Sequence, residues 1–365
     1  MKFLDKTQAS LLMNQLGKER TPFLFIISFD TLKNVVVPLD EIDPLKIAYD
    51  FQGLQNNLGA FHETYPLNAQ DNTLLKISPT WQCEPISFTE YRKAFTPLMK
   101  ALQAKTTDLA NLTFPTPIKC NLTLPEIFAR TSAKYRIFLK DHFCAFSPET
   151  FITIKDHVIA TYPMKGTINA SIPNAENLLL ENPKELDEHQ TVAKEALKDI
   201  ALVAKNARIS RFRYVDHVAR GDGEILQTSS IIEGDLETNY HETIGDLLYN
   251  LLPAGSITGS PKKITTQILS TIETYQRGFY SGVAGIYDGH NLDSTVLIRY
   301  LEKSRSNSDA IKPSIKETTF STISPIKDQN NQFLYTFKSG GGITAMSHAK
   351  SEYDELIEKI YLPIS

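Results

Sequence analysis

Three cysteines and one tryptophan are few for a chain of 365 residues. Cys83, Cys120 and Cys144 are far apart, odd in number and without CxxC spacing, which argues against a disulfide framework and a thiolate zinc site. No apolar run approaches the ~20 residues of a membrane-spanning helix. The stretch near the start, Phe23–Phe29, is far too short, and MKFLDKTQASLL places charges where a signal peptide needs an apolar core. The expectation is a cytoplasmic protein with no membrane contact. A basic excess is missing too. The formal net charge of −4 offers no surface for nucleic acid, so a small anionic substrate needs local positive groups. GxSxG and HExxH are absent. Gly255 to Lys262, GSITGSPK, fails the phosphate-loop pattern because Lys262 does not directly follow Gly259. The eight histidines form no close metal-ligand spacing and are expected as surface or satisfied polar groups.

What is present is strands in pairs. Phe23–Phe29 with Asn34–Val37, and Phe151–Ile154 with Val158–Tyr162, read as hairpins. Ile209–Val218 and Glu224–Ile232 flank a Gly221-Asp222-Gly223 turn. Val283–Tyr287 and Ser294–Leu301 flank Asp288-Gly289, and Phe333–Ser339 runs into a Gly340-Gly341-Gly342 turn. Asn111–Ile118 carries two prolines and suits an edge or a cleft wall. Helical spacing covers 88–104, 182–206, 240–251 and 348–360, and a helix after Pro261 has Ser260 as its expected N-cap. Residues 302–331 are polar and read as a long solvated loop. Paired strands with helices in separate blocks predict an antiparallel α+β fold.

Several residues have chemistry to offer. Glu185 with Glu188, and Glu352 with Glu355, are three apart on expected helices, so each pair shares a face. Such faces are either solvated or, turned toward each other, an oxygen site for Mg²⁺. Lys165 follows a strand between Met164 and Gly166, with Glu149 at the open end of the neighbouring hairpin. It is either a surface lysine or, desolvated in a cleft, a nucleophile. Arg299, on an apolar strand, needs a partner, either an anionic ligand or a structural carboxylate. The amides of Gly340–Gly342 form an ordinary turn or a cradle for a carboxylate.

The order of these pieces is more specific than any one of them. Ser147-Pro148-Glu149, PMKGT at 163–167, KELDEH at 184–189, AGSITGSPK at 254–262, SGVAGIYDG at 281–289, VLIRY at 296–300 and SGGGI…SEYDEL at 339–356 follow in sequence. Together they resemble the chorismate-utilising enzymes, as one domain over 1–365 with a catalytic core at 111–365 and a looser match over 1–110. The resemblance implies two facing antiparallel β-sheets surrounded by helices. It implies Glu149 as the acid and Lys165 as the nucleophile, with Gly166, Thr167, Thr258, Arg299, Gly340, Gly341 and Gly342 around the substrate. Glu185, Glu188, Glu352 and Glu355 would hold Mg²⁺. Where anthranilate and isochorismate synthases usually carry alanine, PMKGT has Lys165, as in the aminodeoxychorismate synthase pattern. That pattern implies amination of chorismate at C4, on the route to 4-aminobenzoate and folate, with ammonia from a separate glutaminase subunit. Anthranilate synthesis or another chorismate-utilising activity, and chorismate binding without turnover, are the other readings. The segment after His189 departs from the family, and of its polar residues Asp199 remains.

Overall fold

The computed structural model describes residues 2–65, 79–220, 223–304 and 333–362. Among them run two antiparallel sheets of nine strands each. Phe23–Ile27 explains why a continuous apolar run is needed rather than an alternating one. Phe23, Phe25 and Ile27 pack under helices, while Leu24 and Ile26 pack against the second sheet. Both faces are buried, so both sets of positions are apolar. Asn34–Pro38 and Val283–Tyr287 pair on either side of it.

The first sheet continues through Leu292–Val296, Thr150–Lys155, Val158–Thr161, Gly223–Asp235 and Met164–Asn169, with Lys205–Arg220 also on Gly223–Asp235. The expected hairpins are there. Thr150–Lys155 turns into Val158–Thr161 at Asp156 and His157, whose φ values of 49° and 65° match the twist of a two-residue turn. Residues 221–222 of the expected glycine turn, and the expected loop from 305 to 331, lie outside the described residues.

The second sheet runs Gly259–Ser260, Leu109–Cys120, Phe333–Ile343, Tyr300–Lys303, Phe143–Ser147, Tyr135–Leu139, Ile47–Phe51 and Leu54–Gln55, with Trp81–Cys83 also on Leu109–Cys120. Pro115 and Pro117 sit opposite Lys338 and Thr336. On the other side of Leu109–Cys120, strand partners are found only near its two ends among the described residues. Proline is tolerated in that one-sided stretch because no donor is needed there. Strands from the first 110 residues belong to both sheets.

Apolar side chains from both sheets meet between them, including Leu24, Ile26 and Ile286 against Tyr49, Phe51 and Ile137. Helices Lys6–Lys18, Pro183–Val203 and Ile244–Leu251 cover the outside of the first sheet. Phe88–Gln103, Lys262–Ile272 and Ala349–Glu358 close over the second.

The chain changes sheets twice at one corner. Phe143–Ser147 of the second sheet leads through Pro148-Glu149 into Thr150–Lys155 of the first. Leu292–Val296 of the first leads through 297–299 into Tyr300–Lys303 of the second. The two crossings are bonded side by side. Thr295 Oγ1 and Val296 N donate to the Glu149 carbonyl at 2.7 and 3.3 Å, and Phe146 N donates to the Arg299 carbonyl at 3.2 Å.

Three local expectations are corrected here. Ser294–Leu301 is not one strand, because a strand that leaves one sheet for the other must exchange its partners. The bend puts Arg299 at φ 50°. Gly340-Gly341-Gly342 is not a turn but the end of Phe333–Ile343, laddered to Thr113, Leu112 and Asn111. A Cβ on Gly340 would meet Thr113 Cγ2 at 2.5 Å, so close strand approach is what requires glycine there. Ser260 does not cap Lys262–Ile272. It lies in a short strand, and Pro261 occupies the cap position without a side-chain bond.

Candidate active site

The corner places Glu149 and Arg299 together from positions 150 residues apart in sequence. Glu149 is partly buried, and loss of hydration pushes its carboxyl above the usual range. A hydrogen bond from Ser256 and the positive charges of Lys165, Arg299 and Lys359 pull the other way without cancelling this. A carboxyl held in that state can keep a proton and donate it. Arg299 has the complementary property. Its Nε is buried and meets no hydrogen-bond acceptor, while the guanidinium lies 5.0 Å over the Tyr361 ring. An unpaired buried donor is costly unless a ligand supplies the acceptor.

Lys165 enters from the edge strand Met164–Asn169. The ladder to Gly223–Asp235 is irregular between Lys165 and Thr167, and Gly166 between them has φ 76°, a backbone that glycine adopts without penalty. A Cβ on Gly166 would come within 2.9 Å of Glu185 Oε2, so this glycine also lets the glutamate lie against the lysine's strand. Behind it, Thr228 Oγ1 donates to the Lys165 carbonyl. His189, with none of its surface exposed, bonds Ser230 Oγ at 2.6 Å. The side chain of Lys165 reaches across to the second sheet. A Cβ on Gly342 would lie 2.9 Å from Lys165 Nζ. The amine thus passes over the glycine strand, within electrostatic reach of Glu149.

The rest of the expected substrate wall divides. Gly340 turns its carbonyl off the ladder to Lys359 Nζ at 3.2 Å, and in an antiparallel pair Gly342 faces the same way. Thr258 is fully buried, with its hydroxyl donating to Ala254 at 2.9 Å, and its carbonyl accepts from Asn111 N, the strand partner of Gly342. Thr167 is exposed on the edge strand. Three contributors escaped the sequence reading: Ser256, Thr228 and Lys359. The first lies in a motif already singled out. The other two sit in segments whose pattern is ordinary strand and helix.

The carboxylate pairs lie on two helices. On Pro183–Val203, Glu188 is buried and Glu185 half-buried. On Ala349–Glu358, Glu352 is buried and Glu355 is held by Lys359 at 2.6 Å. Among the described residues no three His, Cys, Asp or Glu side chains stand close enough to hold one ion. The donors are hard oxygens in pairs. That chemistry fits Mg²⁺, which takes one or two protein carboxylates and completes its shell with water and substrate oxygens.

A profile of chorismate binding enzymes matches residues 50–312, beginning earlier than position 111. An uncharacterised PabA-like protein of Haemophilus influenzae is 41% identical over 96% of this chain and 95% of its own length. Aminodeoxychorismate synthase component 1 of Bacillus subtilis is 28% identical over 42% of this chain and 33% of its own. Among solved structures, the menaquinone-specific isochorismate synthase of Escherichia coli superposes with a TM-score of 0.68 at 15% identity, covering 98% of this chain and 82% of that one. Anthranilate synthase component I of Streptococcus pneumoniae gives 0.61 at 20%, over 83% and 63%. At these identities the solved structures establish the fold, an α+β arrangement of two antiparallel sheets.

Proposed function

The chain belongs to the family of chorismate-binding enzymes, and from that premise we propose that it aminates chorismate at C4, as an aminodeoxychorismate synthase component I. The observation that carries this reading is Lys165 Nζ lying over Gly342, in reach of Glu149. A lysine at this point adds an amine nucleophile to a site that otherwise offers an acid and anion donors.

The chemistry follows from those positions. The C4 hydroxyl of chorismate is a poor leaving group and departs only with a proton, which Glu149 supplies. Lys165 attacks C2, the ring double bond shifts, and water leaves. Ammonia then adds at C4, the double bond returns, and Lys165 is released. The enolpyruvyl group is never touched. Arg299, with its open Nε, and the off-ladder backbone of Gly340 and Gly342 hold a carboxylate of the substrate, while Gly166 and Thr167 border the ring. One of the carboxylate pairs, Glu185 with Glu188 or Glu352 with Glu355, would hold Mg²⁺ with water and substrate oxygens, and when bound it would neutralise the substrate's other carboxylate. A glutaminase subunit is the proposed ammonia source. The name of the component 1 relative at 28% identity supports the amination reading and a second component as the ammonia source, and the relatives named anthranilate synthase support the runner-up.

Purified protein with chorismate, Mg²⁺ and ammonium is expected to form 4-amino-4-deoxychorismate, followed by chromatography. Lys165→Ala is expected to lower the rate by about a thousandfold. Full activity in that variant removes the nucleophile from the mechanism. Release of pyruvate with anthranilate formation replaces the reading with its runner-up.

A further inference from the structure

A cavity of about 40 Å³ lies between the first sheet, helix Pro183–Val203 and the turn at 255–260. Its lining includes Glu149, Ser256 and Ser260 at one part, and Ala196, Glu195 and Asp199 from the helix. The size decides what it can admit. At ~10–15 Å³ for each water-sized occupant, it holds about two or three, whereas pockets that take ring-sized ligands measure ~300–1,000 Å³. Chorismate does not fit, and ammonia or ammonium does.

We propose that this cavity is the route by which ammonium reaches the reacting centre, with the Asp199–Lys262 ion pair as its outer gate. The proposal rests on the amination reading and assigns the path of its second substrate. The gate already displays the right recognition chemistry. Lys262 Nζ is held by Asp199 Oδ2 at 2.6 Å and by the Leu251 carbonyl at 2.8 Å, so an ammonium group sits on a carboxylate and a carbonyl. A Cβ on Gly255 would touch both Asp199 Oδ2 and Lys262 Cε at 3.4 Å, which places this turn directly over the pair. Glu195, one helical turn before Asp199, is mostly buried and carries Lys198 on its carboxylate at 2.5 Å. A free ammonium ion exchanges with the tethered ones at these carboxylates and moves inward along Ser256, the hydrogen-bond partner of Glu149.

The proton count closes on this path. Glu149 gives its proton to the departing hydroxyl, which leaves as water. The incoming ammonium gives a proton back to the Glu149 carboxylate and continues as ammonia. Ammonia forms the C–N bond at C4, the bond to Lys165 breaks, and the product amine leaves protonated. Hydroxyl and ammonium are thereby exchanged for water and an alkylammonium group.

The test is steady-state kinetics with ammonium chloride as the sole nitrogen source at fixed pH. Ala196→Leu, which intrudes on the cavity, is expected to raise the ammonium KM about tenfold and leave the chorismate KM within about twofold. Asp199→Asn is expected to raise the ammonium KM about threefold, again without moving chorismate. If Ala196→Leu melts early, Val192→Ile narrows the same wall with a smaller change and carries the same expectation. Aminated product with an unchanged ammonium KM in the variants overturns the route and leaves the amination reading standing. Parallel losses for both substrates give these residues a structural role and also overturn it. No aminated product from the wild type overturns the amination reading, and the route with it.

Discussion

Arg277 and Arg299 both bury guanidinium nitrogens, and the protein treats them in opposite ways. Arg277 is 4% exposed and spends its donors inside the molecule. Nε and Nη2 grip Glu273 at 2.9 and 2.7 Å, Nη1 reaches the Ile257 carbonyl at 2.9 Å, and Nη2 the Asn111 carbonyl at 2.6 Å. Glu273 in turn accepts from Thr113 N and Oγ1. This closed network ties the strand opposite the three glycines to the turn that carries Ser256 and Thr258. Arg299 leaves Nε without an acceptor and rests on one aromatic ring. A buried charge with every bond made internally is framework, while one with a bond left open is prepared for something that arrives.

The contrast is broken most directly by removing a partner from the closed side. Glu273→Ala leaves Arg277 buried and unpaired, and is expected to cost ~3–5 kcal/mol in urea denaturation. Arg299→Ala is expected to cost under ~1 kcal/mol of stability, and to lower kcat/KM for chorismate by about a hundredfold. Equal stability losses in the two variants would mean that Arg299 is framework too.

Glu149 sharpens the open side. Glu149→Gln is expected to lower kcat by ~10²–10⁴, the usual worth of a general acid. Burial raises the wild-type carboxyl, so the protonated, active form disappears as pH rises through that raised value. The same shift means the folded state binds this proton more tightly than the unfolded one. Its stabilising effect is present at low pH and is lost as pH rises through the folded value, a loss that Glu149→Gln does not share. A rate profile in the variant with the wild-type limb would assign that limb to another group.

Two glycines of one strand make a smaller test. In Gly342→Ala the new methyl meets the flexible end of Lys165 at 2.9 Å, so the fold should persist and the rate fall about tenfold. In Gly340→Ala it meets Thr113 Cγ2 at 2.5 Å and the Leu112 carbonyl at 2.9 Å, and ~1–3 kcal/mol of stability should go. The reverse pattern would mean that Lys165 does not lie over Gly342.

The smallest effect belongs to a closed cluster far along the first sheet. His241 is 3% exposed and bonds Tyr287 Oη at 2.7 Å. Burial first, then the charges of Arg20, His157 and His290, lower its pKa from 6.5 to about 4. The unfolded chain takes the proton first, so stability is full above 6.5 and is lost as pH falls toward 4. His241→Gln should lessen the fall in melting temperature across that window, with buried His189, also lowered to about 4, keeping its own share, and an unaltered slope would refute the assignment.

Much of this was legible from residues alone. The hairpin at 150–161 follows from apolar patterning and turn chemistry, which are local. At 283–296 the first strand and the Asp288-Gly289 turn are legible, but the second strand, expected at Ser294–Leu301, runs over Leu292–Val296. The prolines of Leu109–Cys120 suit an edge or a cleft wall, and among the described residues the second side of that strand is paired only near its ends. Less legible was the glycine triplet. Three glycines after a strand look the same whether the chain turns or a neighbouring strand and Lys165 press close, because what forbids a side chain is elsewhere in the sequence. Arg299 reads in sequence as a charge on an apolar strand in need of a partner, whereas it sits in the bend between two strands. The sheet change beneath it had no local signal.

The sequence by itself determined the kinds of groups available, their order along the chain and the antiparallel α+β class. Each of those depends on side-chain chemistry or on periodicity over a few residues. Only the tertiary structure decided that Glu149 and Arg299 are neighbours, that Lys165 crosses to Gly342, and that Arg277 is tied down while Arg299 is open. The first two come from ladders and crossings that join residues more than a hundred positions apart, and Arg277 adds a bond to Asn111, 166 positions away, to its local hold on Glu273. Burial periodicity marks which face turns inward, but it does not name the face it will meet.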